Sequence, residues 1–168
     1  MASKPDHRPN GAEHDPAAQA LTSQPLEQVL GRMSAMEPGP AAGSAAAITA
    51  AIAAALLTKT ARLSRQQLPG AQDLARTAEH LRERALELAQ ADADAVQALL
   101  TGGSGPADPS AIPQRIGDLA RELADLATRI CADGKESLRA DAAAAGHLAR
   151  AAEETVGAIV ASNAETSP

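Results

Sequence analysis

Between residues 74 and 99, eight positions recur in alternating steps of four and three: Leu74, Ala78, Leu81, Ala85, Leu88, Asp92, Ala95 and Leu99. Such a heptad seam falls on one face only if the backbone is an α-helix. Two later segments carry the same spacing. Ile112, Ile116, Leu119, Leu123, Leu126 and Ile130 form one seam, and Leu138, Ala142, Ala145, Ala149, Ala152, Val156, Ile159 and Asn163 form another. Three long amphipathic helices already mark the chain as largely helical.

Composition closes off the alternatives. The chain has no Trp, Tyr or Phe, and 43 of its apolar residues are alanine, against 18 Leu, 6 Ile and 4 Val. Sheets are built from β-branched and aromatic residues, which are scarce here. Alanine is the strongest helix former and lets helix axes approach closely. The expected fold is therefore all-α: an up-and-down bundle of about five helices. Alanine buries little area, so a monomeric core is thin and assembly into a homodimer is expected.

Two further helices complete the bundle. Leu26, Val29, Leu30, Met33 and Met36 predict a short first helix, ended by Pro38-Gly39-Pro40. Ser44 stands where an N-cap belongs, ahead of an Ala-rich second helix running to about Gln67. Leu68-Pro69-Gly70 and Gly102-Gly103-Ser104-Gly105-Pro106 read as breaks. Pro113 fits the first turn of the fourth helix, and Gly134 its stop. Residues 1–24 mix prolines and charges without periodicity and are expected to be a disordered tail before a helical domain at 25–164.

Several function classes drop out. A net charge of −6 with no Lys/Arg run opposes nucleic-acid binding. The single Cys131 excludes an intrachain disulfide and a cysteine zinc site. His80 and His147 stand alone on their helices, and His7 and His14 lie in the tail, so no metal is expected. Residues 38–58 carry no charge, a length that could cross a bilayer, but they are mostly Ala, Gly, Ser and Thr. A central helix packed on all sides fits better than a membrane span. The first 24 residues contain no apolar signal core, and a cytoplasmic location is expected.

Three features can carry chemistry. Asp92 places a carboxylate in an apolar seam, which is costly unless it is paired. It is either an acid or base at an interface, or it meets water near a helix end. Asp141 edges the buried face of the fifth helix, or simply favours the first-turn end of the macrodipole. The loop before Ser44 offers free helix-start amides, with Gly43 allowing close approach to an anion.

These segments together resemble the cyclodeaminase/cyclohydrolase family, which includes formimidoyltetrahydrofolate cyclodeaminase and methenyltetrahydrofolate cyclohydrolases. Glu37-Pro38-Gly39-Pro40-Ala41-Ala42-Gly43-Ser44-Ala45-Ala46-Ala47 resembles its Gly-rich loop and the Ala-rich helix that follows. Leu88-Ala89-Gln90-Ala91-Asp92-Ala93-Asp94-Ala95 is similar to its Asp-x-Asp-Ala segment. Ile112-Pro113 looks like its Val-Pro helix opening, and Gly134-Lys135 through Asp141-Ala142-Ala143-Ala144 its Gly-Asn and Ser-Asp stretch.

The resemblance implies an all-helical dimer binding a folate-like substrate near the interface, with no cofactor beyond that tetrahydrofolate-type molecule. It implies Asp92 and Asp141 as catalytic groups, and Gly43, Ser44, Asp94, Gly134, Lys135 and Asn163 as substrate-binding ones. The chain departs from the family pattern at Ala41 and Ala42, which replace loop glycines, and at Lys135, which replaces Asn. The family's aromatic positions are gone. The alternative is a non-catalytic homodimeric binding or scaffold protein. If the loop at Gly43 and Ser44 binds a ligand, Asp92 and Asp141 are expected near it at one end of the bundle, within one chain or completed across subunits.

Overall fold

The computed structural model describes residues 20–103, 106 and 108–166. Five α-helices follow in order: α1 (Leu26–Ser34), α2 (Ala42–Leu63), α3 (Ala71–Leu100), α4 (Ala111–Asp133) and α5 (Arg139–Thr166). Short 3-10 turns precede α1 at Leu21–Ser23 and α5 at Glu136–Leu138, and no strand occurs among the described residues. The expected all-α bundle is what forms.

The seams are where the spacing puts them. Leu74, Ala78, Leu81, Ala85, Leu88 and Asp92 of α3 are buried, as are Ile116, Leu119, Leu123, Leu126 and Ile130 of α4. On α5 the buried face is Ala142, Ala145, Ala149, Ala152 and Val156. The α3 seam surfaces at Leu99 because α3 is longer than its neighbour. At 1.5 Å per residue, its 30 residues outrun the 22 of α2 by roughly 12 Å.

Helix α2 packs against α3, α4 and α5. Its inward residues are almost all alanine, with Ala47, Ala50, Ala53 and Ala54 fully buried. Their small side chains let neighbouring backbones close in, while Leu57, Leu81, Ile116, Leu119, Leu123 and Ile130 supply the bulk. Buried Thr58 and Thr60 satisfy their hydroxyls within the helix, donating to the Ala54 and Leu56 carbonyls at 2.9 and 2.8 Å. By length and hydropathy α2 is long and apolar enough to cross a membrane, yet 56% of that window is buried in the bundle. Packing is on three sides, not all round as the composition suggests: Ile52, Ala55 and Leu63 face outward.

Three local expectations are revised. Helix α2 starts at Ala42 with Ala41 as its extended N-cap residue, so Ser44 is inside the first turn and caps nothing. The helix ends at Leu63, four residues before Gln67, where Ser64 turns its amide back to the Thr60 and Ala61 carbonyls. The segment expected to be tail reaches the core at Leu21, which is buried and whose N–H donates to Gln90 Oε1 at 2.6 Å. The rest of that segment, residues 1–19, lies outside the described residues.

The turns match their chemistry. Gly70 adopts the left-handed conformation, φ 70°, that reverses the chain between α2 and α3. Pro113 is in the first turn of α4. Exposed Arg121 ties α4 to α5, donating to Asp118 and Glu153 at 3.0 Å each. The Asp118 bond, then that to Glu153, raises the guanidinium pKa, but solvent screening makes such surface pairs worth little.

Candidate functional site

The first turn of α2 leaves backbone amides without intrahelical partners. One of them, Ser44 N–H, donates to Asp92 Oδ2 at 2.6 Å. The Ser44 hydroxyl lies 2.7 Å from the same oxygen and 3.1 Å from the Ala89 carbonyl, so its single proton can serve either. Ser44 is fully buried and Asp92 is 7% exposed. The cost of a carboxylate in an apolar seam is offset by these two donors and by the positive end of the α2 dipole. Asp92, 48 residues downstream, thus does for α2 what a local N-cap side chain does elsewhere. Gly43 makes this possible, because any side chain there would collide with the Asp92 carboxylate.

Chemically, this is a serine hydroxyl and a carboxylate in hydrogen-bond contact at a helix N-terminus. Such a pair can hold or pass a proton and can favour negative charge on a ligand. Ala41 and Ala42 do not distort the loop: no non-glycine residue among those described has positive φ.

Asp94 is not part of this pair. Two residues along α3 it is exposed, on another face, where its Oδ1 accepts from Gln90 Nε2 at 2.7 Å. Gln90 in turn holds the 3-10 turn through Leu21 N–H, so Asp94 steadies the entry to α1. Asn163 reaches the start of α4, donating from Nδ2 to the Pro109 carbonyl at 3.2 Å and lying 3.5 Å from Ser110 Oγ.

Gly134, Lys135 and Asp141 lie at the opposite end. Lys135 N–H donates to Ser64 Oγ, at the C-terminus of α2, at 2.9 Å. Gly134 sits against that hydroxyl and against the Ile130 carbonyl, with no room for a Cβ. Asp141 is half-buried in the first turn of α5, just beyond. The length of α2 separates it from Ser44 by roughly 25–30 Å within one chain. The expectation that both carboxylates share one end is therefore corrected. Alternation from α2 to α5 puts the start of α5 beside the end of α2. A groove of about 430 Å³ opens near Asp141 between α4 and α5, with Cys131, Arg139, Gly146 and Arg150 along it.

Sequence reasoning missed Gln90 and Ser64. The Gln90–Asp94 spacing of four is a known helical pair and was available. Ser64 had no local signal, since its contact spans 71 residues.

Among solved structures, the fold is similar to that of formiminotetrahydrofolate cyclodeaminase from Thermotoga maritima. The TM-score is 0.78 at 18% identity, covering 86% of this chain and 80% of that one. No curated protein matches. The sequence profile described as formiminotransferase-cyclodeaminase matches residues 25–167, from the start of α1 to the end of α5. The chain belongs to the formiminotransferase-cyclodeaminase family.

Proposed function

We propose that this protein is a cyclodeaminase- or cyclohydrolase-type enzyme acting on a one-carbon-substituted folate or another cyclic amidine or imine. The observation that carries the reading is the Ser44–Asp92 contact on Gly43, in the segments where the family resemblance is concentrated. In the deaminase reaction, N10 of the folate attacks the formimino carbon on N5. The N10 proton leaves, the imino nitrogen gains protons, and ammonia departs. A carboxylate that accepts the first proton and returns it to the leaving nitrogen serves both halves. Asp92 is assigned that role, with Ser44 as its hydrogen-bonded neighbour. Asp141, Gly134 and Lys135 act in the same site only if a second subunit brings its opposite end to Ser44.

A second reading has its own observation. Asp92 is already used as the cap of α2 and is almost closed off from water. On that view the chain is a binding or scaffold protein in which the contact is purely architectural.

The experiment is ammonia release from formiminotetrahydrofolate by the purified protein and by Asp92→Asn. Asparagine keeps an acceptor for Ser44 N–H, so the fold survives. Turnover in the wild type that falls by 100-fold or more in Asp92→Asn supports the enzyme, in line with what one acid–base group contributes. No turnover in the wild type, with both proteins equally folded, supports the scaffold.

A further inference from the structure

Several arginines that line grooves on this chain are neutralised by their own neighbours. Between α2 and α3, Arg62 and Arg82 both reach Glu79, and Arg76 pairs with Asp73. Toward the end of α5, Arg121 holds Asp118 and Glu153. The groove of about 430 Å³ near the start of α5 is different. Arg139 and Arg150 line it and no carboxylate does. Neither guanidinium makes an ion pair among the described residues. Arg150 Nη2 instead donates to His147 Nδ1 at 3.3 Å, which leaves its charge uncompensated. In a chain with 21 acidic and 15 basic residues, this groove departs from the overall sign.

Gly146 shapes it. A Cβ there would stand 3.3 Å from Ala127 Cβ and 3.6 Å from both terminal nitrogens of Arg150. The missing side chain lets α4 close on α5 and lets the Arg150 guanidinium lie back along α5, the direction in which helical side chains lean. Buried Ala127, Ala142 and Gly146 make an apolar floor. Arg139 and Arg150 are 11 positions apart, three turns, so they share a face with Cα atoms roughly 16 Å apart. Lying back one turn brings the Arg150 guanidinium to roughly 10 Å along the axis from Arg139 Cα. The result is an apolar trough with a cation at each end.

We propose that this groove binds a small organic dianion, two carboxylates joined by a short hydrocarbon chain. Each carboxylate matches the two-pronged face of a guanidinium. A single exposed Arg–carboxylate pair is worth little, so affinity comes from engaging both ends while the chain covers the alanine floor. The groove volume is within the range of about 300–1,000 Å³ usual for small-molecule sites. None of the residues assigned to the reaction above lines it, and Ser44 and Asp92 are at the other end of α2. The proposal therefore stands whether or not the protein is an enzyme.

Half-buried Cys131, the one cysteine of the chain, lines the same groove and reports on its occupancy. Alkylation of the native protein by iodoacetamide, read by intact mass, is expected to slow by about threefold or more when millimolar adipate is added at constant ionic strength. Hexanoate, with one charge, and inorganic phosphate, with its charges on one centre, are expected to leave the rate unchanged. Arg139→Gln and Arg150→Gln are each expected to abolish the adipate effect and to melt as the wild type does, because both side chains are exposed. Adipate without effect, protection that survives either substitution, or equal protection by hexanoate or phosphate overturns the proposal. So does a Cys131 that reacts only after denaturation, which means that the groove is covered in the folded protein.

Discussion

The Asp92 carboxylate fills the space that a side chain on Gly43 would need. A Cβ on Gly43 would stand 2.0 Å from Asp92 Oδ1 and 2.5 Å from its Cγ. Two residues 49 positions apart are thus fitted to each other, and the fit sets the first turn of α2 on α3. A helix interior ordinarily prefers alanine to glycine by about 1 kcal/mol. Here contact outweighs propensity.

Gly43→Ala is therefore expected to destabilise the protein by about 1–3 kcal/mol, the usual cost of overpacking. Gly157, on the exposed side of α5, has nothing within 4 Å of a built Cβ. Gly157→Ala is expected to stabilise by about 0.5–1 kcal/mol. Thermal melts followed by circular dichroism read both. Equal shifts for the two alanines would show that Gly43 is not a contact position.

The Ser44–Asp92 pair is accessible to a double-mutant cycle. Ser44→Ala removes the hydroxyl but keeps the backbone N–H bond. Asp92→Ala removes the one oxygen that accepts from both Ser44 donors and strands a buried amide, at about 1–3 kcal/mol. The double variant is expected to cost less than the sum of the singles by about 0.5–3 kcal/mol. Strict additivity in urea denaturation would mean that the hydroxyl serves the Ala89 carbonyl instead.

The helical content and the buried faces of α3, α4 and α5 were legible because Leu, Ile and Ala spacing reports directly on which side of a helix is apolar. Asp92 was legible as an anomaly, since a carboxylate in such a seam needs a partner. Its partner was not, because Ser44 looked like its own helix's cap and the real contact crosses 48 residues. The position of Asp141 was misjudged for a simpler reason. From α2 to α5 the chain makes four alternating passes, so the starts of the first and last of these lie at opposite ends. The outward face of α2 was hidden by its alanines, which read as buried on every side.

Leu21 tests where the folded domain begins. Its side chain is 3% exposed and its N–H is held by Gln90. Leu21→Ala is expected to cost about 2 kcal/mol or more, as buried leucine truncations do. Gln90→Ala is expected to expose the same segment to protease without unfolding the bundle, because it removes the anchor and leaves the core. A neutral Leu21→Ala would return residues 20–24 to the tail.

Ser64 is the counterpart of Ser44 at the other end of α2. It is fully buried, its amide closes the helix onto the Thr60 and Ala61 carbonyls, and its hydroxyl accepts Lys135 N–H. The α4–α5 connection is thereby tied to the end of α2, with Gly134 pressed against the same oxygen. Ser64→Ala keeps the helix end but leaves the Lys135 amide without its acceptor, at about 1–3 kcal/mol. Ser64→Gly loses the same bond and adds the backbone cost of glycine, so it is expected to be the worse of the two. Hydrogen exchange separates this from a general loss of stability. The Lys135 amide is expected to lose protection in Ser64→Ala beyond the global change, while amides in the middle of α3 follow the global change alone. Uniform loss across both regions would show that Ser64 acts only through bundle stability and that the connection before Asp141 is held by other contacts.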